Sequence, residues 1–319
     1  MPRAFITGIS GQDGSYLAER LLDEGYDVHA LSLSSEPSPH CPGVVLHRGD
    51  LTDVDRVRSL LVRIGPDEIY NLAAVSSVAR SWQEPDLTAR VNGLAAVGLL
   101  ESALQAQETT GRVVRFVQAS SAEIFGEPAT SPQDEETPLR PVNPYGAAKA
   151  YAHLMTGVYR GRGLHAVSAI LYNHESPRRP AQFVTRKITA GAAAIARGEA
   201  DTITLGNLDA RRDWGWAPDY VDAMVRAARA ESAGDYVVGT GVGRSVRDFV
   251  AAALGHVGIS DWERHVRVDP TFVRPADPSD LTADATRARE RLGWCPTVSF
   301  EEIVGRMVEA DLKRLDAPR

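Results

Sequence analysis

The 319-residue sequence has only two cysteines, Cys41 and Cys295, no long apolar run and no surplus of basic charge. Two cysteines cannot build a disulfide framework, and with no Cys-x-x-Cys spacing they give no zinc signature, so no metal site is expected. No stretch reaches the roughly 18 apolar residues that a membrane-spanning helix requires, so no membrane partner is expected. The opening "RAFITGISG" lacks the charged-then-apolar order and the cleavage site of a secretory leader. These absences predict a reduced, cytoplasmic protein. A net charge of −7 argues against a nucleic-acid footprint. An anionic ligand must therefore be gripped by local donors, because no general positive field is available. Internal repeats and low-complexity segments are also missing. What remains is ordinary globular composition, 43% hydrophobic and 24% charged, in a length that suits one large α/β domain with an extension, or two domains.

Short apolar runs alternate with amphipathic stretches through the first half. Residues 3–7, 27–33, 68–74, 114–120 and 165–171 read as buried parallel strands. Residues 15–25, 53–65, 89–107 and 143–163 have helical spacing, with Gly25, Gly65 and Gly163 as helix stops. Such alternation implies an open parallel sheet with helices on both faces. From about residue 174 the regularity fades into loops dense in Arg and Pro, and "FEEIVGRMVEADLKRL" forms a last helix. The fold class is α/β: a Rossmann-type, doubly wound parallel sheet (residues 1–172) with a smaller, irregular C-terminal substrate-binding lobe (173–319) interwoven with it.

"TGISGQDGSYLAERLL" sets Gly8, Gly11 and Gly14 directly after the first strand and at the start of a helix. Glycine there permits the tight turn, lets a pyrophosphate approach the backbone, and allows close helix–strand packing. The helix N-terminus then offers its unpaired N–H groups to the phosphates. Asp50 in "RGDLTD" suits two roles equally, acceptor for an adenine amino group or helix N-cap. The tip of the second strand, "ALSLSSEPSPH", has neither the acid that marks NAD nor the arginine that marks NADP. Ser32, Ser34 and Ser35 can donate to either cofactor, so this stretch leaves the choice open.

In "NPYGAAKAYAH", Tyr145 and Lys149 stand four residues apart, on one helix face. Ser121, in "QASSAEIFGE", falls at the carboxyl edge of the sheet, where α/β ligand sites form. A Ser–Tyr–Lys set has a clear logic. The tyrosine takes a proton from a sugar hydroxyl while hydride leaves, the lysine lowers the tyrosine pKa and holds the nicotinamide ribose, and the serine bonds the reacting oxygen.

These residues resemble the extended short-chain dehydrogenase/reductases and, among them, the GDP-mannose 4,6-dehydratase family. The resemblance runs nearly the whole length, and "NHESPRR", "FVTRKIT" and "LGNLDARRDWG" are its most specific carriers. It implies a dehydratase that oxidises C4 of a GDP-sugar, eliminates water across C5–C6 and returns hydride to C6. Catalysis would fall to Ser121, Glu123, Tyr145 and Lys149, with Glu123 the base near C5; an epimerase or reductase would not need that carboxylate. Implied cofactor contacts are Gly8, Gly11, Gln12, Asp13 and Gly14 in the first turn, and Asp50 and Leu51 after the third strand. Leu72, Ala73 and Ala74 follow the next strand, and Tyr145, Lys149 and His174 complete the set. His174 reads as structural, not catalytic, and Trp214 and Trp216 as packing. Implied substrate contacts are Asn173, Val184, Lys187 and Asn207. Arg212 and Arg274 would take the diphosphate, and Asp277 a ribose hydroxyl. Glu175, Arg178 and Arg179 would shape the loops.

The chain departs from the family pattern in several places. Ser121 and Ala122 stand where Thr and Ser are usual, Val75 and Ser77 replace a polar pair, and Pro218 is unexpected. The loop 34–47 is short and free of the arginines that bind NADP phosphate, so the implied cofactor is NADP with NAD left open. The superfamily's mode of dimerisation, through the helices at 89–107 and 143–163, implies a homodimer, and the family a tetramer. Two rival readings are a nucleotide-sugar 4-epimerase or 4-reductase, and a nucleotide sensor without chemistry; a sensor has no use for a general base.

Overall fold

The structure, a computed structural model, describes residues 1–33, 41–272, 276 and 280–317. Thirteen strands are described. In chain order they are β1 (Arg3–Thr7), β2 (Asp27–Ser32), β3 (Val45–Arg48), β4 (Glu68–Asn71), β5 (Arg115–Ala119), β6 (His165–Leu171), β7 (Asn173–Glu175), β8 (Ile203–Leu205), β9 (Arg211–Trp216), β10 (Asp235–Val238), β11 (Gly243–Ser245), β12 (Val266–Val268) and β13 (Asp280–Leu281). The main sheet has seven parallel strands in the order β10-β6-β5-β4-β1-β2-β3. Strand order reverses between β1 and β4, and a crevice at the carboxyl ends of such strands is where open α/β sheets bind ligands.

The helices are α1 (Gln12–Asp23), α2 (Val54–Ile64), α3 (Val78–Gln83), α4 (Pro85–Thr88), α5 (Ala95–Thr110), α6 (Pro144–Gly161), α7 (Val184–Ala196), α8 (Ala217–Arg229), α9 (Val246–His256), α10 (Thr286–Leu292) and α11 (Phe300–Asp316). A π-helical stretch, Ala89–Leu94, joins α4 to α5. Side chains alternate along each strand, so the two faces have separate cores. Ile6, Val117 and Val167 pack with Leu17 and Leu21 of α1 and Met224 of α8, whereas Phe5, Ile69 and Phe116 pack with Leu61 of α2 and Leu99 and Leu100 of α5. Gly25, Gly65 and Gly163 have φ of +80°, +59° and +95°, and each ends its helix where the sequence puts it. At Gly65 the left-handed residue donates its N–H back to Leu61 O, a helix-ending turn that a side chain would strain.

The C-terminal half does more than form a lobe. After β6 the chain runs through Tyr172 into β7, which pairs with β9 in a small sheet completed by β11 and β13. It then returns to the main sheet as β10, beside β6. This seventh strand is four residues, "DYVV", followed at once by "GTG", so no alternation announces it. A third core, with Ile188 of α7, Phe249 and Val250 of α9 and Ile303 and Met307 of α11, holds the lobe together.

Candidate active site

The glycine turn is a cradle with no room for side chains. A Cβ on Gly14 would lie 2.2 Å from Gly8 O, and one on Gly8, at φ +79°, would meet the backbone of Leu72 and Ala73 at 2.8 Å. Gly11 caps α1 without a side-chain hydrogen bond, so the first helical amides remain for a ligand. Thr7, at the tip of β1, donates to Asn71 Oδ1 (2.7 Å) and accepts from the N–H groups of Leu72 and Ala73 (both 3.1 Å). Asn71 passes this on to Gln118 Oε1 (2.8 Å), so a buried side-chain relay ties the tips of β1, β4 and β5. Nothing in the sequence singles these residues out, because each is an ordinary polar residue within an apolar strand.

Gln12 and Asp13 bind protein. Gln12 donates to His174 O (3.0 Å) and accepts from Ser176 Oγ (2.7 Å). His174 has Tyr172 O 2.7 Å from Nδ1 and Asp13 Oδ2 2.9 Å from Nε2. Its ring also stacks on Tyr220, with centroids 4.5 Å apart. Burial alone would lower the His174 pKa, but the Asp13 charge and hydrogen bond outweigh it and the imidazole titrates above its ordinary value. Burial would likewise raise Asp13; the His174 cation and the bonds from His174 and Gln12 hold it below the usual carboxylate range. The clasp fastens the glycine turn to β7, the strand that begins with Asn173. Asp50 lies after β3 and accepts from Thr52 N (2.9 Å) and Thr52 Oγ1 (2.8 Å). The N-cap of α2 is Asp53 instead. Leu51 beside Asp50 is buried.

Ser121, Glu123, Tyr145 and Lys149 converge on one cleft of about 780 Å³, together with Asp13, Leu72, Ala74 and His174. Tyr145 and Lys149 share a face of α6, with Lys149 Nζ 5.8 Å from the Tyr145 ring centroid and bonded to Ala119 O at 2.8 Å. The small residues around them let α6 sit close: a Cβ at Gly146 would lie 2.4 Å from Glu123 O. Burial pushes the Tyr145 phenol up to about 12, the Ser121 hydrogen bond opposing it and the Glu123 charge adding to it. Burial lowers Lys149 to about 8, against the pull of Asp13. The resting phenol is therefore protonated at neutral pH and hydrogen-bonded to Ser121. Ser121 caps the short 3₁₀ turn Ala122–Ile124, and Glu123, in that turn, accepts from Asn143 Nδ2 at 2.7 Å.

The same cleft reaches Asn173, Val184, Lys187, Asn207 and Arg212 in the lobe. Lys187 Nζ lies 3.9 Å from the centroid of the Phe272 ring, Asn207 Oδ1 accepts from Asp209 N (2.9 Å), and Arg212 donates to Arg211 O (2.7 Å). Arg274 and Asp277, like Ser34 and Ser35, lie outside the described residues. Glu175 is buried with Thr185 (2.6 Å) and Arg179 (3.3 Å), while Arg178 reaches back to Ser15 (3.0 Å) and Glu19 (2.6 Å) on α1. Trp214 packs on Phe249 and Phe300 and also lines the cleft; Trp216 lies under Arg306. Of the unusual residues, Ser77 caps α3, and Asn92 brackets the Val75 backbone with bonds of 2.8 and 3.1 Å. Pro218 falls in the first turn of α8, where a missing N–H costs nothing. Among the described residues no group of His, Cys, Asp and Glu is placed to hold a metal ion.

The sequence matches the profile of the GDP-mannose 4,6 dehydratases over residues 5–307. The chain belongs to that family. GDP-mannose 4,6 dehydratase 1 of Arabidopsis thaliana is 44% identical over 325 residues, covering 97% of this chain and 90% of that protein. Among solved structures, the UDP-glucose 4-epimerase of Thermotoga maritima with UDP-glucose superposes with a TM-score of 0.87 at 26% identity, covering 98% of this chain and 99% of the other. The UDP-glucose 4-epimerase of Thermus thermophilus in complex with NAD gives 0.84 at 29% identity, covering 97% and 98%. The scaffold is thus shared with epimerases, while the sequence places the chain among the dehydratases.

Proposed function

We propose that this enzyme converts GDP-mannose to GDP-4-keto-6-deoxymannose. The observation that carries the reading is Glu123, a carboxylate held in the same cleft as Ser121 and Tyr145. The glycine cradle and the open N-terminus of α1 fit a dinucleotide pyrophosphate, and Lys149, on the cleft wall, fits the nicotinamide ribose. A bound nicotinamide dinucleotide supplies a hydride acceptor at C4 and a hydride donor at C6. Tyr145 acts as the phenolate, the form that the Lys149 cation favours: it removes the C4 hydroxyl proton while Ser121 holds that oxygen, and it gives up that proton again as C5 regains one with the return of hydride to C6. The resulting ketone acidifies C5–H. Glu123 takes that proton and delivers it to the departing C6 oxygen as water. Asn173, Val184, Lys187, Asn207 and Arg212 line the nucleotide and diphosphate end, joined by Arg274 and Asp277 in this reading.

Replacing Glu123 with Gln should lower the dehydration rate by at least about 100-fold, the usual contribution of a positioned acid–base group, with nucleotide binding kept. Full dehydration by E123Q would sink the assignment. A 4-epimerase or 4-reductase is the second reading, favoured by the likeness to epimerase structures. A reductase would consume reduced cofactor stoichiometrically.

NADP is the proposed dinucleotide, on family grounds, and the absence of arginine from the sequence 34–47 favours NAD as the alternative. Leu94, just before α5, and Tyr151, Leu154 and Val158 on one face of α6 are exposed apolar side chains. They support a homodimer through α5 and α6, with a tetramer as its extension. The division at residue 172 is proposed as two interwoven lobes, and the setting as the cytoplasm, a compartment that suits a chain with only two cysteines and so no disulfide framework.

A further inference from the structure

Asn143 begins α6 as its N-cap, and Oδ1 accepts from Gly146 N at 2.8 Å. That bond fixes which way the amide faces, because the cap needs the oxygen. The amide nitrogen is then committed to the other side, where it donates to Glu123 Oε2 at 2.7 Å. Both side chains are buried, at 4% and 9% exposure, so water does not compete freely for either bond. Among the described residues no Lys, Arg or His pairs with the Glu123 carboxylate. Tyr145 and Lys149 share the cleft with Glu123, and Arg179 and Asp13 act on Tyr145.

The amide nitrogen can only donate, and an ionised carboxylate oxygen accepts better than a protonated one, so the bond from Asn143 favours the proton on Oε1 over Oε2. We propose that Asn143 is a positioning residue that divides the labour of the Glu123 carboxylate, tying down Oε2 and leaving Oε1 to exchange the proton with the sugar. The inference rests on the dehydratase reading. In the elimination the C5–H bond breaks and its proton goes to Oε1, while its electron pair becomes the C5–C6 double bond. The C6–O bond breaks, and the oxygen leaves as water with the proton from Oε1, which returns Glu123 to its ionised form. Because Asn143 stands two residues before Tyr145, one side chain also sets the base relative to the phenol that acts at C4.

The test separates capping from positioning. Asn143→Ser and Asn143→Asp both keep a good N-cap, and neither can donate to Oε2 with an amide fixed by the cap. With GDP-mannose, both variants should lose about 10- to 100-fold in kcat, the usual effect of losing a hydrogen bond to a charged group, with KM within about threefold. The isotope effect on kcat with substrate deuterated at C5 should rise, and enzyme-bound reduced nicotinamide should build up during turnover, since C4 oxidation outruns elimination. Wild-type kcat with an unchanged isotope effect in both variants would overturn the proposal. So would a kcat loss that tracks a fall in Tm without either signature, which is the outcome for a structural cap alone. If the wild-type enzyme leaves GDP-mannose unchanged, the dehydratase reading falls first, and this inference with it.

Discussion

Lys149 shows how the site trades stability for chemistry. Its ammonium is buried at 3% exposure, with one carbonyl, Ala119 O, as its hydrogen-bond partner. The folded pKa of about 8 lies below the ordinary 10.5, so between those values the unfolded chain holds a proton that the folded chain has lost. Stability therefore rises as pH climbs from about 8 to 10.5, and below 8 the buried charge opposes folding in full. The difference corresponds to about 3 kcal/mol. Lys149→Met should accordingly stabilise the protein at pH 7 by up to about 3 kcal/mol while removing activity. Urea melts at pH 7 and pH 10 should show that gain shrinking toward zero; an equal gain at both would place the effect elsewhere. Of the proposed reacting residues, Tyr145 and Lys149 were legible from helical spacing and Ser121 from its place just beyond a strand, whereas Glu123, in the 3₁₀ turn that follows, came from the family resemblance alone. Asn143 and the Thr7–Asn71–Gln118 relay were not legible, because their meaning depends on partners 20 to 64 positions away.

The glycine turn, α1 and β7 act as one unit. Gln12, Asp13, His174 and Ser176 bridge two motifs that lie more than 160 residues apart in the chain. The turn itself has no slack. Gly14→Ala would press a methyl group to 2.2 Å from Gly8 O, so the backbone must open. We expect a loss of about 1–3 kcal/mol in stability, read as a lower Tm, together with weakened dinucleotide binding by calorimetry. Wild-type affinity in G14A would contradict the close-approach account. The long first-half helices were readable from periodicity and glycine stops. Asp50 was readable only as one of two roles, and the structure gives its carboxylate to Thr52 while Asp53 caps α2. Strand β10 and the pairing of β7 with β9 were hidden, since strands of three or four residues show no period.

At the scale of the whole molecule, Leu94, Tyr151, Leu154 and Val158 are exposed apolar side chains of the kind that mark an association surface, and the proposed homodimer would cover them. Leu154 is 58% exposed in the single chain, so Leu154→Asp should not disturb the fold. It should convert a dimer to a monomer in light scattering; an unchanged mass would move the interface elsewhere. One cleft takes Ser121, Glu123, Tyr145 and Lys149 from the edge of the main sheet and Lys187, Asn207 and Arg212 from the C-terminal half. One measurement tests that whole arrangement. Purified enzyme is incubated with GDP-mannose and a catalytic amount of NADP or NAD, and the sugar nucleotide is weighed by mass spectrometry. Loss of one water with no net reduced cofactor is the expected result. An unchanged mass with both dinucleotides would contradict the dehydratase reading.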